Sequence, residues 1–331
     1  MKDRINEIVK EFGLKLMKKV PRKDYYIVYT DEGTFYLKKV DLKKSQIHFI
    51  HNAKEYLVYR GFKNIDRYVM ANKVPYVKKD KDYYIMTKLI GGRKYDINNT
   101  EELKKASMTL ASLHNASRGY VPRRSSKIIS NMEKLQKIYL EKCEDYIYIK
   151  SLIKMRSAKG LVDNLFLENI DMLYDMALES VKMLQKNGYF ELCQREALER
   201  YICHNNYNHN NIIIDKNEEF NVINFDRCRF ELRCFDIARF MVDVMDRTKW
   251  EFDTVLAILK AYDSIRSLDK REYKIMISFL QFPQAIWEIA TKYYYEEYDL
   301  SRDRYYKALK DKIEKLPYKL GVLNKYKNEF L

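Results

Sequence analysis

The chain of 331 residues has no apolar run approaching the roughly 18 residues that a membrane span needs. Its beginning, MKDRINEIVKEFGLKL, is charged and amphipathic where an export signal would be continuously apolar. Both absences lead to the expectation of a chain neither exported by a signal peptide nor membrane-spanning. The five cysteines, at 143, 193, 203, 228 and 234, form no C-x-x-C pair and no regular framework, which argues against structural zinc and against a disulfide scaffold. Folding in a reducing compartment follows, with Cys203 and Cys228 expected as small buried apolar residues. No G-x-G-x-x-G stands before or within the first predicted hairpin, so no glycine-rich phosphate cradle is written there. No linker-like stretch separates independent domains, and the length suffices for one large core or two lobes sharing a cleft.

Acids are outnumbered, and the formal net charge of +15 raises the question of nucleic acid, because clustered Lys and Arg release counterions from phosphate backbones. The clusters do not support it. KKVPRK at 18–23 and RRSSK at 123–127 are short, and elsewhere Lys is mixed with Glu and Asp along the predicted helices, as on solvated faces. The abundance of Lys, Asn, Ile and Tyr looks like AT-rich codon usage, so the 29 Tyr are not read as a functional signal by count.

Along the chain, Ile5, Ile8, Val9 and Phe12 recur at helical spacing. YYIVYT at 25–30 and TFYLKKV at 34–40 then flank Asp31-Glu32-Gly33 as a β-hairpin. SQIHFIHNAKEYLVYRG at 45–61 reads as an amphipathic helix, and DYYIMTKLI at 82–90 as a strand ending at Gly91-Gly92. From residue 100 onward the pattern is almost wholly helical, with segments at 102–117, 128–158 and 163–187. Only two short apolar runs, 212–214 and 220–225, interrupt it. The expected architecture is α+β and two-lobed, with a small β-rich lobe over residues 1–90 and a large helical lobe over 91–331.

Residues 204–226, HNNYNHNNIIIDKNEEFNVINFD, keep the spacing of a kinase active site without its acids. In phosphoryl transfer an H-x-D-x-x-x-x-N loop supplies a catalytic Asp and a metal-binding Asn, and a second Asp after a hairpin holds Mg²⁺. Here His204, Asn206 and Asn211 fall at the loop positions, and Asn224, thirteen residues further on, stands where the metal Asp would be. A carboxylate accepts a hydroxyl proton or offers charge to a hard cation, and an amide does neither well. Asp226, two residues past Asn224 and on the same side of a continuing strand, is the candidate for a shifted metal ligand. In the same frame Lys38 takes the position of a phosphate-contacting lysine. Glu55, the acid of the 45–61 helix, is its expected ion-pair partner.

With these motifs in order, the chain resembles the spore coat protein S (CotS) family of the aminoglycoside-phosphotransferase-like kinase superfamily. TFYLKKV resembles the lysine strand, YIMTKLIGGR at 84–93 the hinge, and LASLHNASRGY at 110–120 the following helix. The loop, the hairpin, FDIARFM at 235–241 and FPQAIWEIATKYYYEEY at 282–298 complete it. The resemblance implies a protein-kinase-like fold, His204 and Asp236 as braces of the loop, and a role in building the endospore coat beside other coat proteins after synthesis in the mother cell. It also brings ATP and Mg²⁺ as cofactors of the superfamily, in doubt here because the acids have become amides. Three functions stay open: a catalytically inactive structural or interaction component of the coat, an active ATP-dependent phosphotransferase on a small molecule or coat protein, and a polyanion-binding module. Phe282, Trp287, Tyr293 and Tyr294 are expected either to pack as core on the hairpin or to form an aromatic patch for a coat partner.

Overall fold

A computed structural model describes residues 4–123, 126, 128–295 and 302–331. Most of RRSSK and the last three residues of the 282–298 segment therefore lie outside the described residues. Packing divides the chain into two compact units, Met1–Ser130 with Glu199–Arg233, and Asn131–Leu198 with Cys234–Leu331.

The first unit begins with helix α1 (Arg4–Glu11), whose Ile5, Ile8 and Val9 face one way at helical spacing. They close the core of a five-stranded antiparallel sheet of order β1-β2-β3-β5-β4, formed by Leu16–Pro21, Tyr26–Thr30, Gly33–Val40, Val77–Lys79 and Asp82–Lys88 (β1 to β5 in chain order). The expected hairpin is β2–β3, paired from Tyr26↔Leu37 to Thr30↔Gly33. β1 and β4 were not expected. Both are edge strands, and an edge strand wetted on both faces carries little of the apolar alternation by which strands are recognised; LMKKVP shows mainly its charge. Because side chains alternate along a strand, Phe35 and Leu37 of β3 point into the core under α1, while Tyr36 and Lys38 point to the opposite face.

Helix α2 (Lys44–Tyr59) buries Ile47, Ile50, Lys54 and Leu57 along one stripe, and α3 (Thr100–Ser117) starts at Asn99, whose side chain accepts from the backbone N–H groups of Glu101 and Glu102. Between them the chain crosses at Gly91-Gly92. Arg93 and Ile214 exchange both backbone hydrogen bonds, at 3.0 and 2.8 Å, so the crossing segment lies hard against the strand Ile212–Ile214. A Cβ on Gly92, at φ +158, would stand 2.0 Å from the Ile214 carbonyl oxygen. The predicted loop and hairpin appear as a 3-10 turn (His209–Asn211), β7 (Ile212–Ile214) and β8 (Phe220–Val222), with a second small pair, β6 (Ile202–Cys203) and β9 (Arg229–Phe230), that the helical pattern had hidden. All five cysteines are free and buried, Cys203 and Cys228 among them.

The second unit is helical: α4 (Leu135–Met155), α5 (Leu161–Lys186), α6 (Tyr189–Glu199), α7 (Arg233–Arg247), α8 (Phe252–Asp263), α9 (Lys270–Gln281), α10 (Gln284–Tyr295), α11 (Arg302–Glu314) and α12 (Leu316–Phe330). α4 starts seven residues later than the expected 128–158 helix, because Ile129 is taken by β9, its carbonyl accepting from Phe230 N–H at 2.9 Å. The aromatic segment packs on α4 and α5 of its own unit, an environment that differs from the first of the two expected alternatives, core against the hairpin. Phe282 stacks on Tyr139 at 4.0 Å, Tyr294 meets Phe166 at 5.9 Å, and the half-buried Trp287 donates its indole N–H to Asp145 at 2.8 Å. Phe282's carbonyl also accepts from Lys319, a buried ammonium beside the Trp250 ring, and burial lowers this lysine to about 8.

Two outcomes follow from these contacts. Gly92→Ala forces the crossing segment off β7 and should cost roughly 1–3 kcal/mol, read as a lower denaturation midpoint at unchanged m-value. For Lys319, whose folded pKa lies below the unfolded one, the folded state releases its proton first, so stability should rise as pH climbs from about 8 towards 10.5. Lys319→Met should remove that rise in a denaturation series across this range.

Candidate functional site

The first unit contains a cavity of about 430 Å³ whose wall includes Lys38, Asp66, Tyr68, Asn211, Asn224 and Asp226. Three lysines, Lys38, Lys88 and Lys94, and three aspartates, Asp24, Asp66 and Asp226, line it, so its formal charges balance. Of the expected site residues, Lys38, Asn211, Asn224 and Asp226 line this hollow, while His204 and Asn206 stand behind it in the loop.

His204 is fully buried and ties the loop to the hairpin. Its Nε2 donates to the Ile223 carbonyl at 3.1 Å, its Nδ1 accepts from Asn206 N–H at 3.1 Å, and its ring packs edge-on against Phe225 with centroids 4.5 Å apart. Tyr207 anchors the same loop to α3 by donating to the Ala106 carbonyl at 2.6 Å. Asn205 and Asn224 both lie in the left-handed region, at φ +56 and +67, where Asn is among the few residues that fit readily. The amides then satisfy one another. Asn208 Nδ2 donates to the backbone and side-chain oxygens of Asn206, Asn211 Nδ2 to the Asn206 carbonyl at 2.8 Å, and Asn224 Nδ2 to Asn211 Oδ1 at 3.3 Å.

Lys38 does not meet Glu55. Its ammonium pairs with Asp226 and reaches Asn224 Oδ1 at 3.4 Å, while Glu55 is held on the exposed side of α2 by Arg67. The reason is helical phase: Lys54 lies within the buried stripe of Ile47, Ile50 and Leu57, and Glu55 is turned 100° away from Lys54, off that stripe. Asp226 does not reach the cavity by strand alternation either, since β8 stops at Val222 and Asn224 turns the chain. Asp236, the other expected brace, is buried in the first turn of α7, in the second unit.

Three residues at the site were missed. Lys54, 1% exposed, donates to the Asp66 carbonyl at 2.6 Å and to its Oδ1 at 2.8 Å, and lies 4.1 Å over the Tyr68 ring. The other carboxylate oxygen of Asp66 accepts from the backbone N–H of Asn224 at 3.0 Å. Burial, with the Asp226 and Asp66 carboxylates near it, pushes the Tyr68 phenol well above its ordinary range. The signal for Lys54 was present, as a lysine on an otherwise apolar helical stripe; Asp66 and Tyr68, in a loop, gave none.

A divalent cation finds a poor donor set here. The Asn211 and Asn224 amide oxygens face N–H donors, Asp226 is engaged by Lys38, and both carboxylate oxygens of Asp66 are taken by Lys54 and the Asn224 N–H. The residues present thus do not fit Mg²⁺ as arranged.

Solved structures of small-molecule phosphotransferases match this fold along nearly its whole length. An aminoglycoside phosphotransferase from Alicyclobacillus acidocaldarius gives a TM-score of 0.84 at 19% identity, covering 98% of this chain and 95% of that one. Spectinomycin phosphotransferase APH(9)-Ia gives 0.67 at 13%, covering 93% of each. At such identities the likeness shows the fold alone, that of the aminoglycoside-phosphotransferase-like kinases. Within this class the chain belongs to the spore coat putative kinase YutH family, whose pattern it matches over residues 5–326. It is also 25% identical to spore coat protein S of Bacillus subtilis (strain 168) over 272 residues, 82% of this chain and 77% of that protein. Among the described residues no helix is long and apolar enough to cross a membrane.

The Lys54–Asp66 pair is checked by Lys54→Met. Removing one partner of a buried pair strands the other, and the loss should be roughly 3–5 kcal/mol of unfolding free energy. Glu55→Gln, which touches only an exposed pair, should cost less than about 1 kcal/mol in the same denaturation series.

Proposed function

We propose that this protein serves the endospore coat as a kinase-shaped structural or interaction component without phosphotransfer activity. The observation that carries the reading is that the places of proton acceptor and metal ligands hold amides already engaged within the loop and hairpin, Asn206 Oδ1 accepting from Asn208 and Asn211 Oδ1 from Asn224. Lys38, the ammonium that would meet a nucleotide phosphate, is paired with Asp226 within the cavity, a partly exposed pair worth about 0–1 kcal/mol that weakens entry without preventing it. His204, and with it Asp236, serves as a brace of loop shape on this view, and Glu55 has no part in the site. The division into lobes at residues 90 and 91 belongs to the same proposal, as does a location in the coat beside other coat proteins. ATP can enter only weakly and without a metal.

The test is calorimetry of the full chain with ATP, with and without Mg²⁺, followed by a phosphate-release assay. Weak or metal-independent binding and no release are expected; Mg²⁺-dependent binding in the low micromolar range, or turnover, overturns the proposal in favour of an active phosphotransferase. Asn206→Asp with Asn224→Asp returns two carboxylates and should raise Mg²⁺ affinity, since a metal ligand's charge is worth several kcal/mol. An unchanged affinity in the double variant means that the cavity has lost kinase shape as well as charge.

A further inference from the structure

The second unit has a hollow of about 430 Å³ where the end of α5 meets the first turns of α6 and α9. Lys186 of α5 and Lys270, Arg271 and Lys274 of α9 line it, and Glu191 of α6 is the one acid among the described residues of its wall. Four cations against one carboxylate give the hollow a formal charge of +3. Elsewhere in this unit cations stand beside acids: Lys150 with Asp171, Lys312 with Asp246, Arg195 with Asp269. None of the four cations in the hollow makes an ion pair among the described residues, and Glu191 makes none either. Like charges gathered in this way repel one another until a counter-charge joins them.

The floor of the hollow is fixed and left open. Asn187 ends α5 with its N–H bonded to the Met183 carbonyl, and its side chain donates to the Lys274 carbonyl at 2.8 Å, which ties α5 to α9. Gly188 follows in the left-handed region at φ +76. A Cβ there would stand 3.2 Å from a Glu191 carboxylate oxygen and 3.6 Å from Arg271 Nε, so a side chain at 188 would take the space between them. The start of α9 adds no backbone donors of its own, because Asp269 already accepts from the N–H groups of Arg271 and Glu272. We propose that this hollow binds a small phosphate-bearing molecule, a monoester or a diphosphate. A phosphate monoester carries about two charges at neutral pH, where a lone carboxylate would leave most of the hollow's charge in place. The planar fork of Arg271 suits two phosphate oxygens at once, and the lysines serve as point charges around it.

Calorimetry of the full chain with pyrophosphate at low ionic strength tests it, and saturable binding is expected. Arg271→Gln with Lys274→Gln should weaken that binding about tenfold or more, since charge-assisted hydrogen bonds are lost. Lys23→Gln with Lys63→Gln removes as much charge from exposed residues outside the hollow and should leave affinity unchanged. Gly188→Asn keeps every charge, places a residue type that accepts the left-handed region, and should abolish binding by filling the space. Loss confined to the hollow variants separates this site from the cavity of the first unit. The thermal midpoint of each variant without ligand checks its folding; should Gly188→Asn fold poorly, the charge pair and its control decide. No saturable binding, equal weakening in the control pair, or undiminished binding in a folded Gly188→Asn means an adventitious ion only and overturns the proposal. Citrate bound as tightly as pyrophosphate overturns phosphate as the ligand, and a phosphoserine peptide bound where pyrophosphate is not overturns the small molecule as occupant.

Discussion

The arrangement of the cavity depends on one buried charge pair, Lys54 with Asp66. Burying an ammonium is costly unless its donors find partners, and Lys54 has two oxygens of Asp66 and the faces of Tyr68 and Phe225 around it. Asp66 then spends its second carboxylate oxygen on the backbone of Asn224, and the neighbouring Ile65 bridges Val222 at the end of β8. The Asp66 carboxylate thus ties helix α2 to the turn at Asn224, beside the backbone bonds that already hold the 64–66 segment to β8. In a metal-using kinase the corresponding turn is steadied in part by the cation that bridges loop and hairpin. Here Lys54, a cation fixed to a helix and shielded from water, steadies Asp66 and through it the turn at Asn224.

That substitution explains how the acids could become amides without loss of the fold. A carboxylate at 224, in a cavity whose lysines and aspartates already balance, would add uncompensated negative charge unless a cation accompanied it. An amide in the same place needs only hydrogen bonds, and the loop offers them: Asn206, Asn208, Asn211 and Asn224 bond in sequence. The left-handed conformations at 205 and 224 favour the same residue type. Backbone geometry and charge balance thus agree on asparagine.

The parts of the fold legible in the sequence were those written by local pattern. The β2–β3 hairpin, α2, β5, α3 and the loop with its hairpin each carry a period or a turn signal within a short window. Edge strands β1 and β4 and the two-residue strands β6 and β9 carry none. At the site, residue type and spacing brought Lys38, His204, Asn206, Asn211, Asn224 and Asp226 to the right neighbourhood, but the partner of Lys38 could not be read, because it depends on which way a helix is turned about its axis. Glu55 was chosen as the acid of α2, although the buried stripe of that helix passes through position 54. A polar residue on an apolar stripe was the better clue than a sought-for acid on its flank.

Which feature would weigh most against phosphotransfer in the proposed reading is decided by magnitudes. The Lys38–Asp226 pair is a fifth to a third exposed, and pairs of that kind are worth about 0–1 kcal/mol, so a phosphate could displace Asp226 at little cost. The pair is therefore not a lock. The missing carboxylates weigh more, since the charge stabilisation that a bound cation and a positioned base give to a transferring phosphoryl group amounts to several kcal/mol each and scales the rate exponentially. Displacing Asp226 would not recover it: one carboxylate freed beside two amides still leaves Asn206 unable to take a proton and Asn211 and Asn224 without charge. On the proposed reading the cavity can take a ligand without offering the charges that phosphoryl transfer uses, which is the combination expected of a kinase fold that serves through the surface it presents.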